Sequence, residues 1–265
     1  MEGNGSDFVL FSDGGGQKGS AAAGACILED STSGVRRHVV VFLGGATNNE
    51  AEIFGGLAGF ALLRTLRGAD AVDAKQVRWV CDSEYVLKSA TQYILGWQRN
   101  GWKTADKKPV KNQGLWRAFL GLSRGVKIAA SHVRGHTGHP ENEACDAAAT
   151  WAQEYGAEYL ARGRERDVVE IEDESWLLLD GRKLLADLRE EHPDEAVFEA
   201  MVSALSGVAG RVEGGASAKS PTEPDLEPLL TQLKSIGAAA KGLATKSARA
   251  RKLANGVSQL IRDLG

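Results

Sequence analysis

Four acidic residues, widely separated along the chain, have neighbours that suit a site for divalent cations. They are Asp13 in FSDGGG, Glu52 in TNNEAE, Asp82 in RWVCDSEYV and Asp146 in GHTGHPENEACD. Gathered in one pocket, these carboxylates would repel one another unless cations neutralised them. An all-carboxylate site favours a hard cation such as Mg²⁺ or Mn²⁺ over Zn²⁺. A single such acid is more often a solvated side chain or a helix cap, so the prediction depends on all four lying together.

The predicted secondary structure can bring these four acids to one edge of a sheet. Asp13 ends a strand predicted over DFVLFSD, before three glycines that predict a turn, and Asp82 ends a strand predicted over QVRWVCD. Glu52 lies in the first turns of a helix predicted from Asn48 to Arg67, and Asp146 lies in a later helix. Open α/β sheets place their sites where neighbouring strands end.

Other apolar runs predict the rest of an α/β domain. SAAAGACILED and VRRHVVVFLGG predict a strand pair joined by the turn STSG, and VKIAASHVR predicts a last strand. Helices are predicted from Asn112, ending at Gly125, and from near Pro140, a residue suited to a first helical position. Ser83 is the expected N-cap of the helix that follows Asp82.

The motifs around these acids resemble the type 1 ribonuclease H family, most closely its bacterial form. TNNEAE resembles the family's Thr-Asn-Asn segment with the catalytic Glu at its end, so Glu52 rather than Glu50 is the match. CDSEYV resembles the strand-end Asp motif, GHTGHPENEACD the His loop with the fourth Asp, and GWKTADKKPVKN the handle region. The resemblance covers residues 7–160. It implies an α/β fold in which helices flank a mixed five-stranded sheet, and we expect a helical extension after it.

The resemblance implies an endonuclease that hydrolyses the RNA strand of RNA–DNA hybrids by a two-metal-ion mechanism. Asp13 would bridge two Mg²⁺ ions, for which Mn²⁺ is a plausible substitute. Glu52 and Asp82 would share one ion, and Asp146 would hold the other.

A histidine in the loop RGHTGH is the candidate for proton transfer. Imidazole titrates near neutrality, so a loop histidine beside an anionic site can accept and donate protons. The family match favours His136 for this role and leaves His139 a structural one. The alternative is that either histidine only caps the following helix.

Polar and basic residues near the acids are candidates for contact with the hybrid. Asn48 and Asn49 are suited to meet the 2′-hydroxyls that distinguish RNA from DNA. By resemblance, Thr47 and Asn112 match positions that hold a phosphate of the DNA strand. The handle adds cations for sequence-independent phosphate contact and a tryptophan left open between DNA contact and packing: Lys103, Lys107, Lys108 and Trp102.

The chain beyond residue 160 shows no family resemblance. We predict a charged linker over 161–174, a helical hairpin over 175–212, a flexible linker over 213–225 and a basic helical tail over 226–265. Residues 225–265 hold 7 basic and 3 acidic residues. The tail is interpreted as an arm that binds nucleic acid or a protein partner, or as a solvated helical face; it could equally form a dimer, and the oligomeric state is not predicted.

Composition excludes several other classes of protein. The formal net charge is −3, so affinity for nucleic acid would depend on local clusters of cations. The three cysteines form no CxxC pair and have no histidine at zinc spacing, which argues against a zinc site or a disulfide framework. No apolar stretch predicts a membrane span and MEGNGSD does not resemble a signal peptide, so we expect a reducing, cytoplasmic compartment with nucleoid or nuclear association left open.

Two other functions compete with hybrid cleavage. One is a hybrid-binding accessory module that has lost turnover; the presence of all four acids argues against it. The other is a related nuclease that acts on DNA ends, as transposases and integrases do. The asparagine pair before Glu52 and the handle argue against that second alternative.

Overall fold

The computed structural model describes residues 6–16, 20–67, 76–135, 138–161, 166–189 and 199–205. These residues belong to a compact unit that spans Met1–Glu213. Within them, seven strands form one mixed sheet: β1 Phe8–Gly16, β2 Ala21–Asp30, β3 Arg36–Gly45, β4 Gln76–Cys81, β5 Lys127–His132, β6 Arg166–Ile171 and β7 Glu174–Asp180. The strand order is β5-β4-β1-β2-β3-β7-β6. The pairs β1–β2, β2–β3 and β6–β7 are antiparallel, and β1–β4, β4–β5 and β3–β7 are parallel.

The helices of the described residues are α1 Asn48–Arg67, α2 Glu84–Lys88, α3 Ile94–Arg99, α4 Gln113–Leu122, α5 Pro140–Leu160 and α6 Arg182–Leu188. A π-helical turn, Ser89–Tyr93, joins α2 to α3. None of these helices combines the length and the apolar character that crossing a bilayer requires.

Two apolar cores lie on opposite faces of the sheet. The core under α1 and α4 contains Phe60, Trp79 and Phe119, whose ring centroids are 5.2 to 5.6 Å apart. The core under α5 contains Phe42, Ala148 and other buried residues of the sheet. A sheet covered on both faces fixes the ends of its central strands. β1 contains Asp13, and Asp82 directly follows β4.

The predicted α/β fold class, with a mixed sheet and flanking helices, is confirmed. The helix predicted from Asn48 to Arg67 has those bounds, and the predicted β2–β3 hairpin and both later strands are present. α4 begins directly after Asn112, and α5 begins at Pro140. The sheet has seven strands rather than five because the chain after α5 returns to it.

The first strand is longer than predicted. We predicted an end at Asp13 and a turn over three glycines, but β1 continues through Gly16. Gly14 pairs with Gly24 of β2 in the register of the rest of the strand. A Cβ atom on Gly14 would lie 2.3 Å from the carbonyl carbon of Ala51 in α1. The glycines therefore mark a close contact between helix and sheet.

The predicted charged linker, residues 161–174, instead contains strand β6. Its charged side chains alternate with the buried Val169 and Ile171. β6 is an outer strand, and a charged outer strand resists pairing with other chains. Glu172 and Asp173, which join β6 to β7, have φ of 50° and 64°, as a type I′ turn requires. Because neither is the Gly or Asn that usually signals such a turn, the sequence predicted a linker.

The start of the predicted helical hairpin, residues 175–212, is strand β7. Trp176 and Leu178 pack into one core and Leu179 into the other, so β7 is buried on both faces. Periodicity alone cannot distinguish a short, doubly buried apolar run from a buried helix. The break that the prediction missed is Gly181, after which α6 begins.

The later part of the chain is described only in part. Residues 199–205 are helical, and Met201 and Leu205 are buried against the core under α1. The predicted linker over 213–225 and the predicted basic tail over 226–265 lie outside the described residues, so both stay predictions.

We predict that the β6–β7 hairpin contributes to the stability of the whole sheet. Trp176 is 1% exposed, and its ring lies 5.0 Å from that of His38 on β3. Trp176→Ala should lower the free energy of unfolding by about 3–5 kcal/mol, because it leaves a cavity in the core. Val168→Thr, at a side chain that is 53% exposed on β6, is the control and should change it by less than about 0.5 kcal/mol. Equal unfolding midpoints in denaturant for both variants would show that the hairpin is not part of the cooperative fold.

Candidate active site

Small residues at the contact between α1 and the sheet bring Glu52 close to Asp13. A Cβ atom on Gly55 would lie 2.6 Å from the carbonyl oxygen of Asp13. On the sheet side, a Cβ atom on Gly24 would lie 2.5 Å from the carbonyl oxygen of Ala51. Helix and strands can approach this closely only where both backbones lack side chains.

The start of α1 is closed by a capping box. Thr47 donates its backbone N–H and its hydroxyl to Glu50 Oε2, at 2.8 and 2.9 Å, and its Oγ1 accepts from the N–H of Glu50. Asn48 Nδ2 donates to Glu52 Oε1 at 2.8 Å. Asn48 and Asn49 are exposed on this turn, so the predicted contact residues lie beside the predicted catalytic Glu52.

Ser83 connects the segment of Asp82 to Glu52. Its hydroxyl donates to Glu52 Oε2 at 2.6 Å and accepts from the N–H of Val86, which makes Ser83 the N-cap of α2 as predicted. Asp82, directly before it, faces the loop that follows β5: a Cβ atom on Gly135 would lie 2.7 Å from Asp82 Oδ2.

Asp13 lies at the centre of the acidic group. Its Oδ1 accepts from the N–H of Gly14 at 2.6 Å. Burial raises the pKa of Asp13 to about 7, with further contributions in the same direction from the negative charges of Asp82, Asp146 and Glu52, against the N–H of Gly14. The charges that act on Asp13 are those of the other three predicted acids, which supports the predicted grouping of the four.

Asn142 was not predicted from the sequence and also reaches this site. It lies one turn before Asp146 on α5, is 3% exposed, and its Nδ2 donates to Asp13 Oδ2 at 3.4 Å. Its Oδ1 has no hydrogen-bond partner within the part of the chain that the structure describes. The available signal was its spacing of four residues from Asp146, which places both on one face of the helix.

The donor set fits hard divalent cations by its chemistry. Four carboxylates would supply the oxygen ligands that hard cations prefer. Burial is the largest cause of the raised pKa of Asp13, and the neighbouring negative charges add to it. Across the described ranges, no group of three or more Asp, Glu, His or Cys side chains is placed so that it could hold a metal ion. Both carboxylate oxygens of Glu52 accept hydrogen bonds, from Asn48 and from Ser83.

His136, the predicted candidate for proton transfer, lies outside the described residues. The residues after it are described. Gly138 donates its N–H to Glu143 Oε1 at 2.9 Å. His139 occupies the N-cap position of α5 and is exposed, but its side chain makes no capping hydrogen bond with the described residues. Its backbone carbonyl accepts from the N–H groups of Asn142 and Glu143, so its structural role is carried by the backbone.

Trp102, predicted among the hybrid contacts, is instead a core residue. Its side chain is 5% exposed, and the guanidinium carbon of Arg117 lies 4.7 Å from its ring centroid. Its backbone bonds hold the base of the handle loop, since its carbonyl accepts from the N–H of Val110. The sequence left packing and DNA contact open for this residue, and the structure favours packing.

The remaining predicted contacts lie on the surface. The side chains of Lys103, Lys107 and Lys108 are exposed on the loop that Trp102 anchors. Asn112 is the N-cap of α4 with φ of 55°, a conformation that asparagine tolerates, and its side chain makes no capping bond among the described residues. Its amide is therefore not committed to the helix that it begins.

Comparison with known proteins places this site within one family. A family model described as RNase H matches residues 5–154. A ribonuclease H of Paramagnetospirillum magneticum is 47% identical over 103 residues, 39% of this chain and 62% of the relative. One of Nitratidesulfovibrio vulgaris is 48% identical over 101 residues, 38% of this chain and 60% of the relative. The chain thus spans about three fifths of the length of these curated relatives. The solved structure of LC9-RNase H1 aligns with a TM-score of 0.48 at 23% identity over 71% of this chain and 89% of its own.

We predict that Asp13 destabilises the metal-free fold at neutral and alkaline pH. Its folded pKa of about 7 exceeds the ordinary 3.8, so the folded state binds more protons between these values and loses stability as pH rises through them. At pH 8, without divalent cations, Asp13→Asn should raise the free energy of unfolding by on the order of a few kcal/mol, and the gain should shrink towards pH 4. Glu84→Gln, at an exposed carboxylate paired with Lys88, is the control and should show a small effect. A gain for Asp13→Asn that does not change with pH would contradict this electrostatic account.

We also predict that the close contact at Gly55 determines where Glu52 lies. Gly55→Ala places a Cβ atom against backbone oxygens of Asp13 and Ala25, so it should cost about 1–3 kcal/mol of stability and shift α1 away from the sheet. Gly96→Ala is the matched control, because nothing lies within 4 Å of its Cβ position on α3. It should be neutral or stabilise by up to about 1 kcal/mol. Thermal unfolding compares the two, and equal midpoints would show that α1 has room at Gly55.

Proposed function

The chain belongs to the RNase H family, and from this premise we propose that it is an endonuclease that hydrolyses the RNA strand of RNA–DNA hybrids. The observation that carries the proposal is the hydrogen bonding around Glu52 and Asp13. Ser83, directly after Asp82, donates to Glu52 Oε2. Asn142, one turn before Asp146 on α5, donates to Asp13 Oδ2. The four acids lie on β1, on α1, directly after β4 and on α5. The capped turn beside Glu52 presents two exposed amides, and a basic loop lies on the handle.

We assign the four carboxylates to cation binding and His136 to proton transfer. Two bound Mg²⁺ ions, with Mn²⁺ as substitute, would supply an activated water and stabilise the leaving 3′ oxygen. Asp13 would be a ligand beside the other three acids, whose charges act on it. Ser83 and Asn48 orient Glu52 by donating to its two carboxylate oxygens. His136 would receive a proton during turnover, as the family match implies.

Discrimination between the two strands follows from which groups face the scissile site. Asn48 and Asn49 are exposed beside Glu52 and would donate to 2′-hydroxyls, which only the RNA strand carries. Asn112, with an amide not used for capping, would hold a phosphate of the DNA strand. Thr47 was predicted to share that phosphate, but its hydroxyl donates to Glu50, so it would have to release this bond to donate to a phosphate.

The basic side chains of the handle would supply affinity without sequence preference. Lys103, Lys107 and Lys108 are exposed on one loop. Contacts of this kind weaken as salt rises, because they release counterions from the phosphates. The tail over 226–265 stays a proposed second contact with the hybrid. A truncated variant that tests it should end at Glu213, the limit of the compact unit. Removing residues 161–265 would also remove β6 and β7.

We predict Mg²⁺-dependent cleavage of the RNA strand of a labelled hybrid, with no cleavage of single-stranded RNA or duplex DNA. Asp13→Asn and Asp82→Asn should lower the rate by at least about 10³-fold, because each removes a charge that holds cations at the reacting phosphate. EDTA should abolish cleavage by the natural sequence. Glu84→Gln, one residue from the site on an exposed turn, is the control and should keep the rate within about threefold.

The same variants separate a lost activity from a lost fold. Mg²⁺ should raise the unfolding temperature of the natural sequence and have a much smaller effect on Asp13→Asn, because the cations bind the folded state. Hybrid binding without any cleavage under Mg²⁺ or Mn²⁺ would favour an accessory module. Cleavage of DNA ends in preference to hybrid would place the chain with transposase-like nucleases, and either result would overturn the proposal.

A further inference from the structure

Arg189 makes three hydrogen bonds at the junction of β3 and α1. Two go to Glu50 and one goes to Gly45, although Arg189 lies outside the residues that match the family model. Its Nε donates to Glu50 Oε1 at 2.7 Å, and its Nη2 donates to Glu50 Oε2 at 3.1 Å. Nη2 also donates to the carbonyl oxygen of Gly45, at the end of β3, at 3.0 Å. A guanidinium that binds both oxygens of one carboxylate fixes its direction as well as its distance.

Glu50 is the point at which three segments meet. It is 7% exposed, and besides the guanidinium it accepts the N–H and the hydroxyl of Thr47 in the capping box. Burial alone would raise the pKa of Glu50, but the hydrogen bonds from Arg189 and Thr47 together lower it. The carboxylate is therefore charged at neutral pH, and a buried charge of this kind is costly if its partner is removed.

The connection that Arg189 braces is one that the backbone alone leaves loose. Gly44 has φ of 63° and is followed by Gly45, so the last two residues of β3 have no side chains with which to hold the entry to α1. Packing there comes from the buried Ala46 and from the Arg182 side chain over Gly44. Two residues beyond Glu50 lies Glu52, and Asn48 on the same turn donates to it. A displacement of this turn would move the predicted ligand and the predicted RNA contacts together.

Arg189 can act as a brace because its own helix is anchored. Leu185 and Leu188 of α6 are buried in the core under α1, and the N–H of Gly181 donates to the carbonyl of Phe42 at 2.8 Å. Arg182, at the other end of α6, pairs with Asp180 of the adjoining strand and lies over Gly44 and the ring of Phe42. Among the described residues it makes no hydrogen bond to Glu50 or to Gly45. The same short helix thus offers one arginine that reaches the site's helix and one that does not.

We propose that Arg189 is a positioning residue of the active site: through Glu50 it holds the first turn of α1, so that Glu52, Asn48 and Asn49 are placed for the hybrid. This rests on the proposed function. The segment after residue 154 is then part of the catalytic unit, because it supplies the Arg189 guanidinium that binds Glu50 of the capping box.

The test compares Arg189→Ala with Arg182→Ala, which removes the same charge from the same helix. Arg189→Ala should raise KM for the hybrid by roughly 3–10-fold, because the asparagines that contact substrate lose their fixed turn, and should change kcat less. Arg189→Lys should recover part of this loss. Amide hydrogen exchange in residues 47–52 should accelerate several-fold in Arg189→Ala alone, a readout that does not depend on activity.

A double-mutant cycle with Glu50→Gln identifies the route. Glutamine keeps an acceptor for the capping box but removes the charge that Arg189 binds. In that background Arg189→Ala should raise KM much less than in the natural sequence. An equal effect in both backgrounds would overturn the proposal, since Arg189 would then act on the hybrid directly. So would an exchange rate and a KM that match those of Arg182→Ala. If the natural chain cleaves no hybrid, the proposed function fails, and the exchange experiment still decides whether Arg189 holds the turn.

Discussion

Burial of Asp13 beside other acidic residues is the constraint on which the candidate site depends. Burial is the largest cause that raises its pKa to about 7, and the charges of Asp82, Asp146 and Glu52 add to it. A carboxyl held only by local contacts would move towards solvent. The elements that carry the acids are held by interactions elsewhere, in two cores and in helix caps.

Close backbone packing and capping provide this restraint at different ranges. Gly14, Gly24 and Gly55 let α1 lie directly on the sheet, which fixes the distance between Glu52 and Asp13. Ser83 then couples the segment of Asp82 to Glu52, because its one hydroxyl caps α2 and donates to Glu52. Packing thus places the backbones around Asp13 and Glu52, and two hydrogen bonds orient the Glu52 carboxylate.

Much of this could be predicted from the sequence, because the acids lie in motifs with local meaning. The bounds of α1 and the start of α5 at Pro140 follow from helical spacing and from residue preferences at helix ends. The strand over Gly14 and Gly16 could not be predicted, because glycine signals a turn locally and a close contact only in three dimensions. Trp102 was undecidable for a similar reason: a tryptophan between lysines suits both DNA contact and packing, and only Arg117 beside its ring decides.

The errors after residue 160 have a different cause and a structural consequence. A turn made by Glu172 and Asp173 and a strand buried on both faces carry none of the usual local signals, so the sequence predicted a linker and helices. β7 pairs with β3, the strand that leads directly into the first turn of α1. Because β3 leads directly into α1, an element that pairs with β3 also constrains the start of α1, which carries Glu52. The boundary of the matched family segment is therefore not a boundary of the folded unit, which extends to Glu213. The start of α1 can in this way depend on the guanidinium of Arg189, which lies outside the residues that match the family model.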